Sequence, residues 1–295
     1  MMIVSHQLKK AGFDVTTYHS TLPELASWFP GHDLQRSEGD FAHHDLIVVE
    51  NDNSERVKIL LGSDRSKLSV FYPSYLSTKH APLSHLDCCF DESTSMADNA
   101  AHAVAKLLKS STVCKDNGIS PPPHLTHRNY ATRVLIHPMS SSSIKNWSPS
   151  KFLHLGLQLQ AQGFQPLFVV SPAEYANWFC VEKKGLHLVS TPTLKDLAAL
   201  TYESGYTISN DSVLGHLASN LQIPSLVIAN DPKRMRLWQP GWLKGAVVFP
   251  PCWLPKGKCR RKQWRHFITT RRVLNRFCEL VSKVNDNLRV DALSL

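Results

Sequence analysis

Tyr206-Thr207-Ile208-Ser209-Asn210-Asp211-Ser212-Val213-Leu214-Gly215-His216-Leu217-Ala218-Ser219-Asn220-Leu221-Gln222-Ile223-Pro224-Ser225-Leu226-Val227-Ile228-Ala229 is the stretch whose reading decides the fold. Residues 206–208 read as a short buried strand and 225–229 as the next one. A polar turn and a helix of about two turns lie between them, which is the βαβ signature of a parallel sheet. The first N–H groups of such a helix have no internal partner, and the helix dipole favours negative charge there. Strand, polar turn and helix start therefore form a ready anion site. Asp211 and Ser212 are suited to capping that helix, and His216 falls in its first turn. An ordinary capped helix in an α/β domain is the plainer alternative.

The 295 residues suffice for two domains or one large one. An apolar fraction of 42% is that of a folded, water-exposed chain. No apolar run reaches the 18 or so residues that a spanning helix needs. Residues 1–10 lack the apolar core and small-residue cleavage site of a secretory signal. Seven cysteines at irregular spacing predict reduced thiols in a cytoplasm. The fifteen histidines are scattered, so no metal site is expected. A net charge of +9 and a pI near 9.2 point to an anionic partner: a phosphorylated substrate, an anionic membrane face or nucleic acid.

Upstream, strands are expected at 15–19, 45–50 and 67–72, and helices at 6–11, 22–28, 56–61 and 95–108. The run 45–50 is apolar between carboxylates, the pattern of a strand buried on both faces. Asn117-Gly118-Ile119-Ser120-Pro121-Pro122-Pro123 interrupts regular structure and marks the domain boundary. The second half restarts with a strand at 133–137. A serine-rich loop follows, and a helix begins at Ser148-Pro149, with Ser148 as cap and Pro149 in the first turn. Strands at 166–170 and 186–189 come next, with a helix at 173–180 between them. Thr193 and Asp196 have the spacing of a capping box. A last long helix is expected over 267–284. Both halves thus read as Rossmann-like α/β units, in which ligands sit at the carboxyl ends of the strands. Polar loops at 140–147, 171–174 and 210–216 fall at such ends.

The second half resembles glycosyltransferase family nine, the heptosyltransferases of lipopolysaccharide core synthesis. The resemblance rests on His137-Pro138, the serines after it and Lys145-Asn146-Trp147-Ser148-Pro149-Ser150-Lys151-Phe152. It continues in residues 194–200, in Ile208-Ser209-Asn210-Asp211-Ser212, in His216-Leu217-Ala218 and in Ile223-Pro224. It implies an α/β, GT-B architecture of two Rossmann-like domains with parallel sheets facing a cleft. The acceptor-side domain would be 1–120, a Pro-rich linker 121–132, the donor-binding domain 133–266, and a C-terminal helix and tail 267–295. It further implies an inverting, metal-independent enzyme without a cofactor. Such an enzyme moves heptose from ADP-heptose to a lipopolysaccharide inner-core acceptor in the cytoplasm, peripheral to the inner membrane. Carried over by position, Ser140, Ser141, Ser142, Ser143 and Lys145 meet the phosphates, and Glu174 meets the ribose. Asp211, Ser212, Leu214, Gly215 and His216 line the diphosphate and sugar. Departure of a nucleoside diphosphate leaves negative charge that a lysine, hydroxyls and helix N–H groups stabilise. Lys145 is the residue expected to act there, with Asp211 ordering the loop.

Two positions depart from the family pattern. Val213 stands where the family has the glycine of Asp-Ser-Gly, and a β-branched residue resists positive φ; Gly215 is the residue that would accommodate a shifted turn. The family also opens with a strand and a Gly-Asp loop that carries the base, whereas this sequence enters a helix after Met1. The first strand and its base are therefore expected to be missing. Glu50 and Asp52, at the end of the clearest N-terminal strand, become the candidates to take the acceptor hydroxyl's proton. The alternative is a catalytically inactive sugar-nucleotide-binding or scaffold protein of the same fold. The densest basic run spans 256–266 and continues in Arg271-Arg272. It reads as a solvated face, an attraction to anionic lipid or, with Trp264 stacking on a base, a nucleic-acid site. No nucleic-acid motif accompanies it, and nucleic acid is not the expected partner.

Overall fold

The computed structural model describes residues 1–36, 41–62, 64–243, 245–254 and 258–293, except the side chains of 42, 258–262 and 287–293. The chain divides into two compact units. One holds Met1–Ser120 with Arg236–Gln239; the other holds Pro121–Met235 with Pro240–Leu295.

The first unit opens with helix α1 (Met2–Lys10), which buries Ile3, Val4 and Leu8. Strands β1 (Thr16–Tyr18) and β2 (Asp33–Gln35) pair in parallel. Strands β3 (Ile47–Glu50), β4 (Leu68–Tyr72) and β5 (Cys88–Cys89) form a parallel sheet in the order β3-β4-β5. Helix α2 (Glu55–Leu61) starts at Ser54, whose hydroxyl accepts from Val57 N. Helix α3 (Met96–Leu107) starts at Ser95, which caps Asp98 N in the same way. The strand expected over 45–50 to be buried on both faces is shorter, and only Val49 in it is buried. The reason is its place: β3 is an outer strand of the order β3-β4-β5, and β4, flanked on both sides, is buried throughout.

The second unit is built on six parallel strands: β6 (Tyr130–His137), β7 (Gln165–Val170), β8 (His187–Ser190), β9 (Ser204–Asn210), β10 (Ser225–Ile228) and β11 (Ala246–Val248). Their order is β11-β10-β9-β6-β7-β8. The order reverses after β8, which returns the chain to the far side of β6, so β6 and β9 lie at the centre. Alternation then divides the side chains. Val134, Ile136, Tyr206 and Ile208 join a core with Phe152, Leu155 and Leu159 of α4 (Pro149–Ala161) and Phe277 of the C-terminal helix. Helices α5 (Tyr175–Trp178) and α6 (Leu194–Tyr202) follow β7 and β8; Thr193 and Asp196 close the expected capping box on α6. Helix α7 (Val213–Asn220) joins β9 to β10, and α8 (Pro232–Trp238) follows β10.

Two expectations about helices need correction, and one helix was not expected. The helix expected over 173–180 is confined to α5. Ser148 holds the N-cap position of α4, but its hydroxyl bonds Ser150 Oγ instead of the helix backbone. The long helix expected over 267–284 is present as α10 (Thr270–Leu293), and a further helix that was not expected, α9 (Lys258–Phe267), precedes it. Long-range donors end α9. Lys151 Nζ donates to the carbonyls of Arg265, His266 and Ile268 at 2.7, 3.1 and 2.8 Å. Trp147 Nε1 donates to Ile268 O at 3.0 Å. Thr269 Oγ1 then accepts from Arg272 N and starts α10. Residues 256 and 257 of the basic run lie outside the described residues, as do the side chains of 258–262.

Candidate functional site

The carboxyl ends of β7, β6 and β9 are neighbours in the sheet, so the three polar loops emerge side by side. Asn210, fully buried at the end of β9, joins two of them. Its Nδ2 donates to Pro138 O at 2.7 Å, and its Oδ1 accepts from Trp147 N at 2.9 Å. The serine loop is thereby pinned at both ends to the strand that feeds α7. Lys145 then reaches Asp211, Nζ to Oδ2 at 2.8 Å, and both side chains are largely buried. In this setting the pair is held by its surroundings, unlike a surface ion pair.

The N-terminus of α7 is left open. Ser212 stands at the N-cap position, but neither it nor Asp211 makes the expected cap: Ser212 Oγ lies 3.1 Å from His137 Nδ1, and Asp211 is occupied by Lys145. Val213, Leu214 and Gly215 form the first helical turn, where backbone N–H groups lack an intrahelical acceptor. The Leu214 side chain is fully buried, so only its backbone is available to a ligand. Val213 causes none of the expected strain. Among the described non-glycine residues positive φ occurs only at Asn53, Lys109, Arg128 and Gln222, and Val213 is helical. Gly215 serves close packing and not a shifted turn. A Cβ there would come within 2.9 Å of Val227 Cγ2 on β10. Its lack of a side chain lets α7 sit low on β9 and β10.

Within the serine loop, Ser140 Oγ donates to Asn146 Oδ1 at 2.7 Å and accepts from Ser142 N, so it orders the loop. Ser141 and Ser143 are exposed, and Ser142 is half-buried. On the β7 side, Glu174 Oε2 accepts from Ser171 N and Ser171 Oγ at 3.0 and 2.8 Å. Trp264 is fully buried and donates from Nε1 to Ile144 O at 3.0 Å. That removes the alternative in which this tryptophan stacks on a base. It is instead an anchor of the serine loop, together with Arg265, whose Nη2 reaches Ser143 O.

Burial pushes the imidazoles of His137 and His216 below their ordinary value near 6.5. Glu174 opposes this at His137; at His216 Asp211 opposes it and Lys145 adds to it. A histidine whose pKa is lowered by folding binds protons more readily when unfolded. Stability is therefore full above about pH 6.5 and falls as the pH drops below it. We expect the thermal midpoint to fall on acidification below pH 6.5 more steeply in the wild type than in His137→Gln/His216→Gln. Equal slopes by scanning calorimetry would contradict this assignment.

Glu50 and Asp52 lie in the first unit, at and just beyond the end of β3. Burial pushes the Glu50 carboxyl up. Asp52 accepts from Ser54 N at 2.9 Å, and bonds to Ser54 hold its carboxyl below the usual range. Asp52 is thus spent on a turn, while Glu50 has the more basic carboxylate.

The model of glycosyltransferase family 9 (heptosyltransferase) matches residues 93–263, more than half of the chain. The chain belongs to glycosyltransferase family 9. Its structural neighbours have the same fold. One is the glycosyl transferase family 9 protein from Veillonella parvula, 16% identical, with a TM-score of 0.63 over 96% of this chain and 93% of that one. Another is E. coli ADP-heptose lps heptosyltransferase II, 14% identical, with a TM-score of 0.66 over 96% and 95%. A third is E. coli heptosyltransferase WaaC with ADP, 13% identical, with a TM-score of 0.57 over 95% and 94%. No curated protein sequence matches. At these identities the neighbours establish the GT-B-like α/β fold. Among the described residues no helix is long and apolar enough to cross a membrane. Asn210, His137, Lys151 and Trp264 are site-forming residues of this family member that the expected set omitted. His137, Lys151 and Asn210 did carry a signal, since they lie in the stretches behind the family resemblance, whereas Trp264 stood only in the basic run.

Proposed function

We propose that this family 9 protein transfers heptose from ADP-heptose to a lipopolysaccharide inner-core acceptor, with inversion at the anomeric carbon. The observation that carries this reading is Lys145, fixed by Asp211 at 2.8 Å beside the uncapped start of α7. A cation and free N–H groups together suit a diphosphate. The family's description and the ADP bound by a structural neighbour of the same fold support the donor class. In the reaction the acceptor hydroxyl loses its proton to a base as its oxygen bonds the anomeric carbon. The bond to the diphosphate breaks, and ADP leaves with the electron pair. Lys145 and the N–H groups of α7 meet that charge, which is where preorganised donors contribute most. Ser141, Ser142 and Ser143 serve the phosphates, Glu174 the ribose, and His216 the sugar side. The protein works in the cytoplasm at the anionic face of the inner membrane, to which its positive charge draws it.

Glu50 is the proposed base, since burial makes its carboxylate more basic than that of Asp52. Glu50→Gln is expected to lower kcat about 100-fold or more while ADP affinity stays within about twofold. Asp52→Asn is expected to cost far less. A Glu50→Gln enzyme with wild-type kcat would remove Glu50 from this role. ADP binding by wild-type protein without any transfer would favour an inactive sugar-nucleotide-binding protein.

A further inference from the structure

The start of α10 and strand β11 enclose an open pocket of about 550 Å³. No residue of the 138–147, 171–174 or 210–216 loops lines it. Its floor is Val247 and Val248, on the outermost strand of the six-stranded sheet. Its wall is one face of α10, where Arg271, Arg272, Asn275 and Arg276 follow each other at helical spacing. One carboxylate, Glu279, also lines the pocket, and it is engaged by Arg276 through Nη1 and Oε2 at 2.5 Å. Arg271 and Arg272 have no carboxylate partner among the described residues.

We propose that this pocket is a second anion site, built to take a phosphate group. Arg271 and Arg272 both line the pocket, so an anion held there is attracted by two positive charges at once. A phosphate offers three acceptor oxygens, enough for forked bonds from both arginines and one from the Asn275 amide. The pocket sits beside the N-terminal turn of α10, whose dipole adds to the attraction. The valine floor leaves room next to the phosphate for an apolar substituent. This site is independent of the donor reading, since it shares no residue with it. Its phosphate has two sources, a free phosphate-bearing solute or the headgroup of a lipid.

Two probes distinguish the sources. The first is inorganic phosphate, titrated by calorimetry into Lys145→Ala protein so that the loops at β6 and β9 contribute little. The second is sedimentation with phosphatidylcholine vesicles containing about one-third phosphatidylglycerol. In both, Arg271→Ala/Arg272→Ala is expected to weaken binding about tenfold or more, and Arg271→Gln and Arg272→Gln singly to lose part of it. Raising the salt concentration is expected to weaken it in parallel, as for any partly exposed charge pair. Arg271 and Arg272 are exposed, so circular dichroism and the thermal midpoint are expected to be unchanged. Phosphate binding that is lost with the arginines, without vesicle capture, supports the site and assigns it to a free phosphate; vesicle capture lost with the arginines supports it and assigns it to lipid. The proposal is overturned if protein with both arginines binds neither probe, or if the double variant retains whatever binding that protein shows.

Discussion

Lys145→Ala is expected to weaken ADP binding about 10- to 100-fold, the range for loss of a charge-assisted hydrogen bond to a diphosphate. Turnover is expected to fall further, by about 100- to 1000-fold, because the lysine meets charge that grows as the diphosphate departs. The variant has a further consequence. Asp211 is left with an unpaired, largely buried carboxylate next to the phosphates, and like charge then works against the ligand. Lys145→Ala/Asp211→Asn is therefore expected to bind ADP better than Lys145→Ala alone. Calorimetric titration of the three proteins with ADP tests both statements. Unchanged affinity in Lys145→Ala would remove the lysine from the phosphate site.

Asn210→Leu is expected to be the most destabilising single change at the site. It leaves Trp147 N–H and Pro138 C=O without the partners they have at 2.9 and 2.7 Å, in a position with no exposure. A buried polar group stripped of its partner costs about 1–3 kcal/mol, so the two together cost about 2–6 kcal/mol. Asn210→Asp keeps an acceptor for Trp147 N and is expected to lose less. Because the serine loop is pinned through Asn210, ADP affinity is expected to fall along with stability. Urea unfolding of both variants checks the order, and an Asn210→Leu protein as stable as wild type would contradict the pinning role.

The alternation of strands and helices in the second unit was legible because periodicity and caps are local. The run 206–229 contained a strand, a turn, a helix and a strand that the structure reproduces as β9, α7 and β10. What was not legible depends on partners distant in sequence. Lys151 ends α9 from 114 residues away, and Trp147 does so from 121 residues away. No local pattern announces a helix break made by such donors. Trp264 sits in a basic run and looked available to a ligand, yet it is buried against Ile144. Gly215 looked like a turn residue and is instead the point where α7 meets Val227. Val213 was read through a family motif as a strained position, but the helix begins at that residue and removes the strain.

The central claim is that the loops around Lys145, Asn210 and α7 hold an ADP-sugar whose heptose is handed to a lipopolysaccharide core. Its most direct test is incubation of the protein with ADP-heptose and a heptose-deficient core acceptor, following ADP release and the acceptor mass together. The prediction is release of one ADP for each heptose gained by the acceptor, with the anomeric configuration of the donor inverted in the product. An acceptor of unchanged mass, with ADP-heptose intact and no ADP bound by the protein, would contradict it.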